Sequence, residues 1–108
     1  MTIQRVGVGP RLSEMAIHHG TVYLAGQVAD DISQDIAGQT RQVLAAIDKL
    51  LMQAHSDKSR ILSATIYLTS MENFSAMNAV WDAWVVPGHT PPRATVEAKL
   101  AKAEYLID

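Results

Sequence analysis

The chain contains no cysteine, which excludes a disulfide framework, a thiolate metal site and a cysteine nucleophile. No stretch approaches the roughly 18 apolar residues of a membrane span, and no basic N-terminal region precedes an apolar one. Cytoplasm is therefore the expected location. Neither sign of charge dominates: nine Lys and Arg against eleven Asp and Glu give a net charge of −2, with a pI near 6.0. That balance supplies no electrostatic footprint for a polyanion and disfavours nucleic acid as a partner. What is present is ordinary for a folded domain: 48% hydrophobic and 19% charged residues over 108 positions. The expectation is one domain, residues 1–108, with one core, small enough that association would help it.

Residues 2–8 alternate and end at Gly9-Pro10, a first strand and turn. Met15 to Gly26 contains two extended runs joined at His19-Gly20, where glycine supplies the positive φ of a tight hairpin. From Ile36 the period lengthens. Ile36, Val43, Leu44, Ile47, Leu50, Leu51 and Ala54 predict an amphipathic helix to about His55, with Ser33 and Asp35 as candidate caps. Ile61 to Thr69 alternates again, and a second helix is expected from Met71 to Val85, closed by Pro87-Gly88. A strand starts at Arg93, and Tyr105 to Asp108 reads as the opening of another.

The order βββαβαββ implies an α+β fold with two helices on one face of a mixed sheet. The second face of strand 62–69 (Ser63, Thr65, Tyr67, Thr69) is small and polar, as is the Arg93, Thr95, Glu97 and Lys99 face of the later strand. Such faces are expected to be solvated or to line a ring of subunits.

The most informative stretch is Gly88 to Lys99. Proline removes a donor and blocks the helical region for its predecessor, so Pro91-Pro92 stiffens the approach to Arg93. An arginine held at a strand mouth suits bidentate capture of a small carboxylate; an exposed ion pair is the alternative. Other chemistry is not marked. The four histidines (His18, His19, His55, His89) lack metal-ligand spacing, and neither a Gly-x-Ser-x-Gly elbow nor a phosphate-cradling glycine loop occurs. Met71 and Met77 read as core gap-fillers.

Leu24-Ala-Gly-Gln-Val, Asp57-Lys-Ser-Arg-Ile-Leu-Ser-Ala-Thr-Ile-Tyr-Leu, Asn73-Phe-Ser-Ala-Met-Asn-Ala-Val-Trp-Asp-Ala-Trp and Pro92-Arg-Ala-Thr-Val-Glu stand in order along the chain. Together they resemble the Rid family of reactive-intermediate imine deaminases, also called YjgF-like or endoribonuclease L-PSP, and within it the short YoaB-like branch. The resemblance implies a chorismate-mutase-like fold and a homotrimer with a central barrel and clefts between subunits. It implies hydrolysis of 2-imino acids and their enamine tautomers to 2-keto acids and ammonia, with no metal or organic cofactor. Small 2-imino or 2-keto carboxylic acids would be the ligands.

Residue by residue, the resemblance makes Arg93 the carboxylate clamp and Gly26 a point of close backbone approach to the ligand. Thr95 falls where well-known members carry cysteine, and Asn78 and Trp81 fall where the second helix borders the cleft. Glycine, threonine and tryptophan at these places also have ordinary structural readings as turn, strand and core.

The chain departs from the pattern at Leu12, where many members have tyrosine, and at Ala25, where serine is common. A carboxylate thought to position the attacking water falls just beyond Asp108, so the last strand reads as cut short. Glu97 and Asp108 are the substitutes within the chain, although Glu97 would lie about 13 Å from Arg93 along the strand. Two functions are thus expected alternatives: an imine deaminase, or a trimeric metabolite-binding relative without turnover. An endoribonuclease would need a basic groove that the charge balance does not advertise.

Overall fold

A computed structural model describes residues 2–108. Strands β1 (Gln4–Val8), β2 (Ser13–His18) and β3 (Thr21–Leu24) form an antiparallel meander. The β2–β3 turn is His19-Gly20, with φ of 52° and 77°. Two successive positive φ values match the right-handed twist of the flanking strands. Opposed pairs Met15 with Leu24 and Ile17 with Val22 share one side of the meander, and Met15 is buried there.

Helix α1 (Ile36–Gln53) begins where the period changes. The Asp35 carboxylate accepts from the Gly38 N–H at 2.9 Å, satisfying a helix-end donor. Ser33 is not the cap, because its N–H and hydroxyl both turn back to Asp31. Strand β4 (Ala64–Leu68) is shorter than the alternation suggested. Helix α2 (Phe74–Trp84) starts later than predicted, since Met71–Asn73 form a tighter 3₁₀ turn capped by the Ser70 hydroxyl. Strand β5 (Arg93–Glu97) runs parallel to β4. On the other edge of β4, Leu106–Asp108 pairs antiparallel: the Tyr67 N–H donates to the Asp108 carbonyl at 2.8 Å and the return bond is 2.9 Å. The fold is thus mixed α+β, a three-stranded meander and a separate parallel pair extended by the terminal segment.

The two helices pack together over the inner side of β4. Ile36, Val43, Leu44, Ile66, Leu68, Met77, Trp81 and Ile107 make one buried cluster. Among the described residues no helix is long and apolar enough to cross a membrane.

Register corrects one expectation. The polar residues of β4 and β5 do not share a face. Ala64 pairs with Arg93, Ile66 with Thr95 and Leu68 with Glu97, and paired neighbours in a sheet point the same way. Arg93 and Thr95 therefore face the helices. The outer side carries Thr65, Tyr67, Ala94 and Val96, all exposed.

One buried polar side chain fastens the terminal segment. Gln39, fully buried on α1, donates from Nε2 to the carbonyls of Gln34 (3.1 Å) and Glu104 (3.0 Å), and its Oε1 accepts from the Leu106 N–H at 3.0 Å. Replacing it with leucine would strand these backbone groups away from water. Gln39→Leu is expected to lower unfolding free energy by about 2–4 kcal/mol in urea titrations; a change under about 0.5 kcal/mol would show that the clamp is dispensable.

Candidate functional site

Arg93 follows Pro91-Pro92 and opens β5 with its side chain turned toward α2. Phe74, Met77, Asn78 and Trp81 recur at three- and four-residue spacing and so share the side of α2 that meets it. The guanidinium carbon lies 5.1 Å from the centre of the Trp81 ring and 6.0 Å from that of Phe74. These are cation–π distances. Nη1 donates to the Met77 sulfur at 4.0 Å. No carboxylate neutralises the charge: among the described residues the single ion pair is the exposed Arg60–Asp57 contact at 3.7 Å. The alternative of an edge arginine in a surface salt bridge does not hold.

Two further atoms are buried without a hydrogen-bond partner, Thr95 Oγ1 and Asn78 Oδ1. Native interiors rarely leave polar atoms unpaired, so both ask for an occupant. Thr95 lies two residues along the face that Arg93 occupies, and Asn78 is one residue from Met77. Trp81 belongs to the core, 8% exposed, and offers its ring as the floor under Arg93.

Gly26 meets a different neighbour. A Cβ on it would stand 2.8 Å from Asp108 Oδ1, so any larger residue there would make the Asp108 side-chain carboxylate shift. Glu97 is already engaged, its Oε1 accepting from the Met71 N–H at 3.0 Å, and it caps the turn ahead of α2. Phe74 shares the spacing of the core residues of α2, yet it is 40% exposed, as is Met71, which was expected in the core. The reason is position: both stand at the mouth where α2 begins, beside β5 and not beneath it.

A groove of about 610 Å³ runs between α1 and α2, its alanine-rich walls edged by Trp84 and by the charged side chains of Arg41, Asp48 and Lys58. It does not reach Arg93, and the Trp84 indole N–H is already bonded to Asp48 at 2.9 Å. Volume alone does not mark the chemistry here. The described residues hold no cluster of three metal-ligating side chains. His18 and His19 do not diverge as an extended pair would; the left-handed His19 brings their rings to 4.1 Å, edge to face.

A sequence model of the endoribonuclease L-PSP family matches residues 2–108. The chain belongs to that family. A RutC family protein of Haemophilus ducreyi is 49% identical over 106 residues, covering 98% of this chain and 91% of that protein. The RutC family protein YoaB of Escherichia coli is 44% identical over 108 residues, covering 100% and 94%. Among solved structures, a YjgF family member from Neisseria meningitidis superposes with a TM-score of 0.96 at 45% identity, covering 99% of this chain and 89% of its own. The Rid family protein YyfA of Yersinia pestis gives 0.86 at 31% identity, covering 93% and 84%. This L-PSP family chain thus shares its whole fold with YjgF and Rid proteins.

Sequence reasoning passed over Met77 as a site component. The signal available was its spacing, three residues after Phe74 and four before Trp81, which places it wherever those rings meet a ligand or a cation.

Burial disfavours the charged form of Asp108 and holds its carboxyl above the ordinary aspartate value of 3.8; the Gln27 N–H offsets part of this. A raised folded-state value means that the stability it contributes is complete below pH 3.8 and is lost as pH rises through the shifted value. Asp108→Asn is therefore expected to melt at a higher temperature than wild type at pH 7, with the difference closing below pH 3.8. Equal melting at pH 7 would contradict the burial.

Proposed function

We propose that this protein hydrolyses 2-imino acids and their enamine tautomers to 2-keto acids and ammonia, with Arg93 holding the substrate carboxylate. The observation that carries the reading is an unneutralised, half-buried guanidinium seated on aromatic rings. A planar fork in that position makes two parallel charge-assisted bonds to a carboxylate. Fixing the carboxylate orients the adjacent imine carbon and draws electron density from it.

The chemistry balances with water alone. An enamine first takes a proton at carbon and releases one from nitrogen to become the imine. Water adds to the imine carbon, forming a C–O bond as the C=N electron pair moves to nitrogen, which takes a proton. The resulting carbinolamine loses ammonia as the C–N bond breaks and the carbonyl forms. Thr95 Oγ1 and Asn78 Oδ1, both lacking a partner, supply a hydroxyl and an acceptor suited to the water or the imine N–H. Gly26 is assigned to a second wall of the cleft, contributed across a subunit boundary.

A homotrimer fits the surface. Tyr67 and Val96 are 40% and 42% exposed, and with Thr65 and Ala94 they leave the outer side of the β4–β5 pair largely apolar and open. Contiguous apolar surface of this kind marks association sites.

A second reading is a metabolite-binding protein without turnover. It is favoured by Glu97, whose carboxylate is committed to the Met71 N–H and so does not serve as the base.

The decisive assay generates imines with an amino-acid oxidase and follows semicarbazide-trapped product. Wild type is expected to accelerate keto-acid release, with Arg93→Ala reducing kcat/KM by about 100-fold, the scale of two charge-assisted bonds. Arg93-dependent keto-acid binding without acceleration would establish the binding protein instead. Sedimentation is expected to give three times the chain mass of 11.8 kDa; a monomer would sink the shared-cleft assignment.

A further inference from the structure

Arg93 carries five N–H donors, and the acceptor its guanidinium reaches is the Met77 sulfur, 4.0 Å from Nη1. Met77 is fully buried. It projects from α2 between Phe74 and Trp81, the two residues whose rings lie against the same guanidinium. The rings attract the cation without offering a hydrogen-bond acceptor, which leaves its N–H groups to be oriented by something else.

The choice of acceptor matters. A carboxylate at this place would hold the fork firmly, but it would neutralise the charge and compete with any anionic ligand. A thioether is a weak, uncharged acceptor. It sets the rotation of the guanidinium while leaving its charge and its remaining donors available.

We propose that Met77 is a positioning residue for Arg93, its sulfur holding Nη1 so that the opposite edge of the fork faces the cleft. This rests on the reading of Arg93 as the carboxylate clamp. Met77 touches no ligand in this scheme and acts through the arginine alone. The role also explains why a gap-filling residue type sits where, among the described residues, the guanidinium finds its bonded acceptor.

The test compares wild type with Met77→Leu, Met71→Leu and Arg93→Ala. Leucine for methionine conserves volume, so the core is retained. Calorimetric titration with 2-oxobutanoate reads carboxylate affinity, and nitrogen-15 NMR reads rotation of the Arg93 Nη groups without any ligand. Met77→Leu is expected to weaken 2-oxobutanoate binding by about three- to tenfold, the scale of one hydrogen bond. Its Arg93 Nη rotation should be faster, while Met71→Leu leaves both unchanged.

Unchanged affinity and unchanged rotation in Met77→Leu, with binding abolished in Arg93→Ala, would overturn the positioning role and leave the clamp standing. Binding that survives Arg93→Ala would overturn the clamp. The NMR comparison then still decides the Met77 contact, since faster rotation in Met77→Leu sustains it and equal rotation overturns it.

Discussion

The buried amide of Gln39 is the contact on which the rest of this architecture hangs. A single glutamine on α1 reaches the Ile32–Gln34 loop and the backbone of Glu104 and Leu106 together. Sequestered from water, its amide nitrogen and oxygen are worth far more bonded than left open. By anchoring residues 104–106 it allows Leu106–Asp108 to pair with β4, which places Ile107 in the core and Asp108 against Gly26. The meander and the parallel pair are brought to one another by this segment, and the helices cover the result.

Against that well-satisfied framework, the region around Arg93 stands out as deliberately incomplete. The cation has rings and a sulfur but no anion, and two polar atoms nearby in the same elements are buried without partners. A fold that gives the buried Gln39 amide partners on both its nitrogen and its oxygen has the means to fill these as well. Local violations of an otherwise consistent design concentrate at functional sites, because a ligand supplies the missing partner. The groove between the helices differs: its lining carboxylate Asp48 is already bonded to the Trp84 indole.

Element type and order were legible from the residues. Period-two alternation and three- and four-residue spacing identified every strand and both helices, and the His19-Gly20 turn and the Asp35 cap lie where their chemistry requires. Boundaries moved by a few residues for local reasons, as at Ser70, whose hydroxyl favours a tight turn ahead of α2. Family membership was legible too, from four ordered motifs. Less visible was the role of Phe74, which shares the spacing of core residues yet stands at a mouth, because spacing reports a direction and not what lies in that direction.

By itself the sequence determined the class of fold, the absence of thiol chemistry and the identity of the arginine worth watching, all of which depend on near neighbours in the chain. Tertiary structure decided which way that arginine looks. Alternation divides β5 into two faces without saying which is inward, and a one-residue slip would exchange them. The pairing of Ala64 with Arg93, across a connection that includes all of α2, settled the matter and put the charge beside Met77 and Trp81. Gln39 reached Glu104 and Leu106 by the same kind of long-range closure. Such contacts join residues far apart in the chain, and no local pattern encodes them because their geometry exists only once the layers have packed.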